Sequence, residues 1–317
     1  MKTNLTIRNS ILIALFAFFV SCSKDEEVDI VTDPYTSGLI EEINTDSLQS
    51  YVQWLQGIGT RFMLADNRKD IALAIQNKFI SFGLTDTRID SFYNAATFKE
   101  IPYHTWQYNV IAILPGSISP NTISIMGGHY DNYSRNSDPF LFAPGANDNA
   151  SGIAATLEVA RVIQSSSFTP KATIQFVAFA AEELGLFGSR DYAVKLAASS
   201  STVSMMLNSD MIAYWPDSDP SLWTVNIMDY ENSTSLRILA QKTCANYTNL
   251  KTNNNNQYNR QSDSYPFFLN GFNAVFFESN ANDVNYHTTA DISANCNFPY
   301  LREVTKISCA MLVENNK

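Results

Sequence analysis

Two adjacent carboxylates, Glu182 and Glu183, stand directly after the apolar run Phe176-Val177-Ala178-Phe179-Ala180-Ala181 and are followed by Leu184-Gly185. A run of that kind reads as a buried strand, and paired charge at its exit reads as a site. Other metal- or proton-binding side chains sit beyond further apolar runs. His129 and Asp131 follow one ending at Met126, Asp210 follows one ending at Asn208, and His287 lies beyond one ending at Phe277. Asp148 belongs to Gly145-Ala146-Asn147-Asp148-Asn149-Ala150-Ser151-Gly152, a glycine-bounded turn that opens a helix. Of the three histidines, His104, His129 and His287, two fall in this set. His104, between Tyr103 and Thr105, reads as a surface or packing residue.

Two imidazoles and three carboxylates make a donor set suited to zinc, and a carboxylate that bridges two ions lets five side chains hold a pair. One carboxylate of the Glu182–Glu183 pair then remains. With Glu183 as a ligand, its neighbour Glu182 can point the other way and act as a general base toward water.

The elements that position these residues are legible from periodicity. Helical spacing begins near Asp46, with Leu48, Val52 and Leu55 on one side, and resumes from Arg68 to Phe82 with Ile71, Ile75 and Phe79 in register. Apolar strands at 109–114, 122–126, 172–181, 204–208 and 274–277 alternate with helical stretches such as 151–163 and 233–247. Continuous apolar strands between helices imply an α/β fold, a three-layer α/β/α sandwich around a mixed, largely parallel sheet. Ligands in such sheets collect beyond the carboxyl ends of the strands, where the candidate residues stand.

The stretches Gly128-His129-Tyr130-Asp131, 145–152, Ala181-Glu182-Glu183-Leu184-Gly185, Asn208-Ser209-Asp210-Met211 and Tyr286-His287-Thr288-Thr289-Ala290-Asp291 together resemble the co-catalytic zinc peptidases of the bacterial leucyl aminopeptidase type. The resemblance extends over about residues 45–315 and includes Gly59-Thr60-Arg61 and Ser262-Asp263. It implies two Zn²⁺ per chain, one held by Glu183 and His287, the other by His129 and Asp210, with Asp148 bridging. It implies further that Glu182 is the general base, that Asp131 orients a ligating histidine, and that the Asp148–Asn149 peptide is cis. The activity implied is that of an exopeptidase, foremost an aminopeptidase acting on peptide N-termini. Glutaminyl cyclases, which share the fold but work with one zinc, and dipeptidases or carboxypeptidases of the same family are the alternatives. Relatives often carry Ser-Asp-His where this chain has Ser262-Asp263-Ser264, which puts substrate-side contacts in doubt. Tyr258, after the run Asn253–Gln257, and Asp263 are candidates for substrate or oxyanion contact. Phe140, Phe142, Trp215, Trp223, Phe267 and Phe268 are candidates to line a pocket for an apolar side chain, although each alone reads as core.

A formal charge of −10 and the lack of a basic run argue against binding to a nucleic-acid backbone. At the start, Lys2 and Arg8 flank an apolar run from Ile11 to Val20, too short to span a bilayer. Residues 1–21 read as a lipoprotein-type signal peptide, because Ser21-Cys22 resembles the lipobox at which a new N-terminal cysteine is acylated. The acidic stretch Ser23-Lys24-Asp25-Glu26-Glu27 resembles tethers that carry lipoproteins to a cell surface. The expectation is an exported chain, lipid-anchored through Cys22 to a bacterial outer membrane or cell surface, with the periplasmic side as the alternative. It has a flexible tether over 22–42 and a catalytic domain over 43–317. Cys244, Cys296 and Cys309 allow at most one internal disulfide.

Overall fold

The computed structural model describes residues 32–317. The expected signal peptide over 1–21, the lipidation site at Cys22 and the first half of the expected tether lie outside the described residues. The second half of that tether is helical. Helix α1 (Pro34–Glu41) starts from an Asp33 cap, whose Oδ1 accepts a hydrogen bond from the Thr36 amide at 2.8 Å, and it buries Thr36, Leu39 and Ile40. Burial of an apolar helix face, which the low periodicity of the surrounding residues conceals, fixes this segment to the domain.

Eight strands form one mixed sheet in the order β1-β2-β4-β3-β5-β8-β6-β7. They are β1 (Thr87–Phe98), β2 (Ile101–Leu114), β3 (Ser119–His129), β4 (Ala172–Phe179), β5 (Thr202–Ser209), β6 (Thr224–Met228), β7 (Lys251–Asn253) and β8 (Ala274–Ser279). The centre is parallel, with β3 paired to both β4 and β5, and β5 to β8. Antiparallel pairings of β1 with β2, β2 with β4 and β6 with β8 extend it on both sides.

Alternation along the central strands separates two apolar clusters, one on each face. Met126, Phe176, Ala178, Leu207 and Phe277 join the larger cluster with residues of α2 (Thr45–Gln56), α3 (Arg68–Ser81), α4 (Ser151–Ser165), α6 (Thr234–Tyr247) and α8 (Phe298–Asn316). Ile125, Val177, Phe179 and Met206 join the smaller one with Tyr192, Ala193 and Leu196 of α5 (Phe187–Ala197) and Phe267 of α7 (Ser264–Leu269). Strands buried on both faces show near-continuous apolar sequence, which is why the central ones were readable. The three-layer sandwich follows directly from these two packed interfaces. Cys244, Cys296 and Cys309 are all free thiols.

Candidate metal centre

Three strand exits and two loops converge at one end of the sheet. Their close approach requires glycine at two points: a Cβ on Gly128 would lie 2.5 Å from the Ser209 carbonyl oxygen, and one on Gly152 would lie 2.1 Å from the same atom. Gly128 is the last residue but one of β3, Gly152 lies in the first turn of α4 and Ser209 ends β5, so any side chain at either glycine would push these elements apart. Beyond the strands, Ala181, Met211 and His287 all take left-handed backbone, at φ 59°, 55° and 55°. Few residues other than glycine adopt that region, and such outliers cluster where a site over-determines the chain.

The turn carrying Asp148 is stitched in place by its own asparagines. The Asn149 side chain donates to the Ser209 carbonyl at 2.9 Å and accepts from the Gly152 amide at 2.8 Å. Asn147 Oδ1 accepts from the Ala213 amide at 2.8 Å, while Asp291 receives the Asn147 and Asp148 amides at 2.7 and 3.0 Å. The Asp148–Asn149 peptide is cis, as the resemblance implied. With the backbone clamped on both sides, the Asp148 carboxylate divides between two imidazoles: Oδ1 is 3.3 Å from His129 Nε2 and Oδ2 is 3.0 Å from His287 Nε2.

Each histidine has a second carboxylate. Glu183 Oε2 lies 2.8 Å from His287 Nε2, and Asp210 Oδ1 lies 3.3 Å from His129 Nε2. Asp210 is itself held by Ser262, whose Oγ donates to Oδ2 at 2.6 Å. Asp131 accepts the Glu182 and Glu183 amides at 3.0 and 3.2 Å, with Oδ1 3.7 Å from His129 Nδ1. Glu182 Oε2 stands 3.9 Å from His129 Nε2, and the side chain lines the adjoining cleft, whose volume is about 430 Å³. Possible ligand atoms of His129, Asp148 and Glu183 fall within 4.8 Å of one another, as do those of His129, Glu182 and Asp210.

The family model described as Peptidase family M28 matches residues 109–312. The chain belongs to peptidase family M28. A curated relative from Pyrenophora teres f. teres, named "Probable zinc metalloprotease", is 32% identical over 209 residues, covering 57% of this chain and 42% of that protein. A second, named a probable aminopeptidase of Saccharomyces cerevisiae, is 25% identical over 315 residues, covering 94% of this chain and 82% of that one. Among solved structures, the LapA aminopeptidase of Legionella pneumophila superposes with a TM-score of 0.75 at 24% identity, covering 92% of this chain and 77% of that chain. The M28 chain spans only 42%, 39% and 43% of the length of three of the curated metalloproteases it matches.

Electrostatics shows why this M28 centre fits divalent cations. Burial and repulsion from Asp148 push Glu183 up to about 7 against the pull of His287. Burial also holds Glu182 well above the ordinary carboxylate range, although His129 opposes it. His287 is driven up to about 10, because Asp148 and Glu183 outweigh its own burial. Glu183 Oε1 is buried without a hydrogen-bond partner, an orphaned oxygen of the kind that suits a metal ligand. Nitrogen and carboxylate donors of this kind, with no thiolate among them, fit zinc.

The remaining sequence expectations divide. Tyr258, on a short turn at 256–258, does line the cleft and is 44% exposed. Asp263 does not: it is fully buried at the start of α7, where packing of Pro266 and Phe267 into the core draws the chain inward behind Asp210. The six aromatics proposed as a pocket are elsewhere too. Phe267 is core, Trp215 stacks on Tyr300, and the aromatic walls of the cleft are Tyr258, Phe276 and Tyr286. His104 lies exposed on β2, stacked on Tyr93 at 6.2 Å. Two residues with evident roles were not singled out by sequence: Ser262 beneath Asp210, and Asp291, the clamp of the bridging turn. Both lie inside stretches that carry the family resemblance, and that was the available signal.

Proposed function

We propose that this chain is a zinc-dependent aminopeptidase that holds two Zn²⁺ and hydrolyses the N-terminal bond of peptides. The observation that carries the reading is the division of the Asp148 carboxylate between His129 and His287, each of which has one further carboxylate of its own. Such sharing favours a pair of ions over the single zinc of a cyclase. Asp148 would bridge, with Glu183 and His287 on one side and His129 and Asp210 on the other. The aminopeptidase named in yeast, similar over 94% of this chain, supports the substrate class.

Bound zinc supplies Lewis acidity, polarising the scissile carbonyl and making water a better nucleophile near neutral pH. The protein's own part is proton transfer and placement. Glu182, at the cleft wall and only 9% exposed, accepts a proton from the attacking water and passes it to the departing amine. Asp131 fixes the turn that carries Glu182 and the ring of His129 at once. Tyr258 reaches the same cleft from the opposite loop, where its hydroxyl can donate to the oxygen that gains charge. The lipobox-like Ser21-Cys22 supports export and lipid attachment at a bacterial outer membrane or cell surface, which would place the cleft among external peptides.

Elemental analysis of the purified chain, together with a panel of aminoacyl chromogenic substrates assayed with and without chelator, tests the reading. About two zincs per chain and chelator-sensitive release are expected. One zinc per chain, or hydrolysis indifferent to chelator, overturns it. Glu182→Gln should retain zinc while turnover falls by roughly 10²- to 10⁴-fold.

A further inference from the structure

The cleft next to the metal centre carries a carboxylate that the proposed chemistry does not use. Glu278 lies on β8, whose neighbour β5 ends just before Asp210, and its side chain lines the same cleft as the ligands. It belongs to neither grouping of possible metal ligands, and no ion pair among the described residues includes it. Its cross-strand partner is Asn226 on β6. The Asn226 carboxamide is already engaged on both ends by Asn255, donating to its carbonyl at 3.0 Å and accepting from its amide at 2.8 Å. Asn226 therefore anchors the loop that roofs this part of the cleft, and leaves most of the Glu278 carboxylate's hydrogen-bonding capacity unspent.

Even a half-buried carboxylate without a cation costs free energy unless a partner arrives. No lysine or arginine lines the cleft, so that partner does not come from the cleft wall. With Asp148, Glu183 and Asp210 taken up by two divalent ions and Glu182 kept for proton transfer, Glu278 and Asp283 would be the acidic groups left on the cleft wall, and Asp283 is already held by the Asn147 carboxamide and the Asn285 amide, both at 2.8 Å. Asn226, Gln261 and Tyr258 around it are polar, which suits an ionic head group, while Met211 and Phe276 offer apolar contact for a methylene stem.

We infer that Glu278 is the specificity-determining residue for a cationic side chain, so that the preferred substrates carry lysine or arginine at the N-terminus. The inference rests on the aminopeptidase reading for its name as a substrate pocket, but not for the charge preference itself. Two measurements separate them. Calorimetric binding of L-lysinamide against L-norleucinamide, its near-isosteric uncharged counterpart, to the zinc-loaded Glu182→Gln chain reads the pocket with turnover suppressed, and kcat/KM of the native chain on lysyl and norleucyl chromogenic substrates reads it with turnover. In the zinc-loaded chain lysine should be favoured over norleucine in both. In Glu278→Gln the lysyl-to-norleucyl ratio should fall by roughly 10-fold or more, between the losses for a surface pair and for a fully buried one. Glu278→Met serves as a second variant should the glutamine form misfold, and the same fall is expected. Preferential binding of lysinamide without any hydrolysis upholds the cationic pocket and sinks the aminopeptidase reading. Equal binding of both amides, or a ratio unmoved by both substitutions, overturns the inference while leaving the aminopeptidase reading intact.

Discussion

Asp131 Oδ1 lies 3.0 Å from the backbone nitrogen of Glu182, so one carboxylate on the β3 exit holds the turn that presents the proposed general base. Its second oxygen takes the Glu183 amide at 3.2 Å, and the group also faces His129. A carboxylate is needed to take both amides, because it only accepts, whereas His129 Nδ1 is held at 3.2 Å by the Asp131 backbone carbonyl. In Asp131→Asn the amide nitrogen must face one of those donors. We expect zinc affinity and kcat/KM each to drop by about 10- to 100-fold, the range found when groups that orient metal ligands are altered. Zinc competition with a chromophoric chelator and steady-state kinetics check it, and unchanged values for both would remove Asp131 from the positioning role.

Gly152 tests how tightly the strand exits are packed. The alanine methyl would meet backbone, the Ser209 carbonyl, which has no rotamer through which to escape. Gly152→Ala should destabilise by about 1–3 kcal/mol or more, as overpacking does, and weaken zinc binding by displacing Asp148. Urea unfolding and zinc titration measure the two effects. Retention of both at the level of the native chain would mean that α4 moves more freely than this contact allows.

Arg61 is 1% exposed and lies behind the site rather than in it. Its guanidinium donates to the carbonyls of Tyr130, Leu55, Pro144 and Gly145 at 2.7, 3.0, 3.1 and 2.7 Å. The fork thereby ties the residue between His129 and Asp131 to the start of the bridging turn. Burial lowers its pKa to about 10, which leaves it charged under all ordinary conditions. A lysine ammonium cannot span four carbonyls held in that geometry. Arg61→Lys should cost about 3 kcal/mol or more, since buried carbonyls are left unpaired. Chemical denaturation reads this, and a loss below about 1 kcal/mol would argue that water substitutes readily there.

The central sheet and the metal centre were legible because both obey strong local rules. Strands buried on two faces are apolar throughout, and a charge at such a strand's end stands out, as at Glu182 and Asp210. The outer elements obey weaker ones. Strand β1 has one face toward solvent and alternates, and it joins β2 through Lys99 and Glu100, both left-handed at φ 49° and 66°. That turn usually shows itself by Asn-Gly or Asp-Gly, and here it does not. The aromatic pocket failed for a related reason: composition cannot say which aromatic faces a cleft and which a core. Glu278 was within reach, since it ends the apolar run from Ala274 to Phe277 just as Glu182 ends its own, but a single charge there has no partner in sequence to mark it.

Glu278 also makes a prediction about stability and pH. Burial, helped by repulsion from Asp210 and Asp148, pushes its carboxyl up to about 7 from an ordinary value of 4.5, although Asn226 pulls the other way. Between those two values the folded chain retains a proton that the unfolded chain has released. Stability therefore falls as pH rises through that window, and the penalty is complete above pH 7. Its ceiling, for a shift of this size, is on the order of 3 kcal/mol. Glutamine carries no charge to penalise, so Glu278→Gln should unfold at nearly the same urea concentration as the native chain at pH 4.5 and at a higher one at pH 8. Comparing the two chains in excess chelator removes the part of the ligand cluster's titration that both share and leaves Glu278 together with its coupling to Asp210 and Asp148. A difference that does not grow between those pH values would show that Glu278 ionises as readily as an exposed glutamate, with water reaching it throughout.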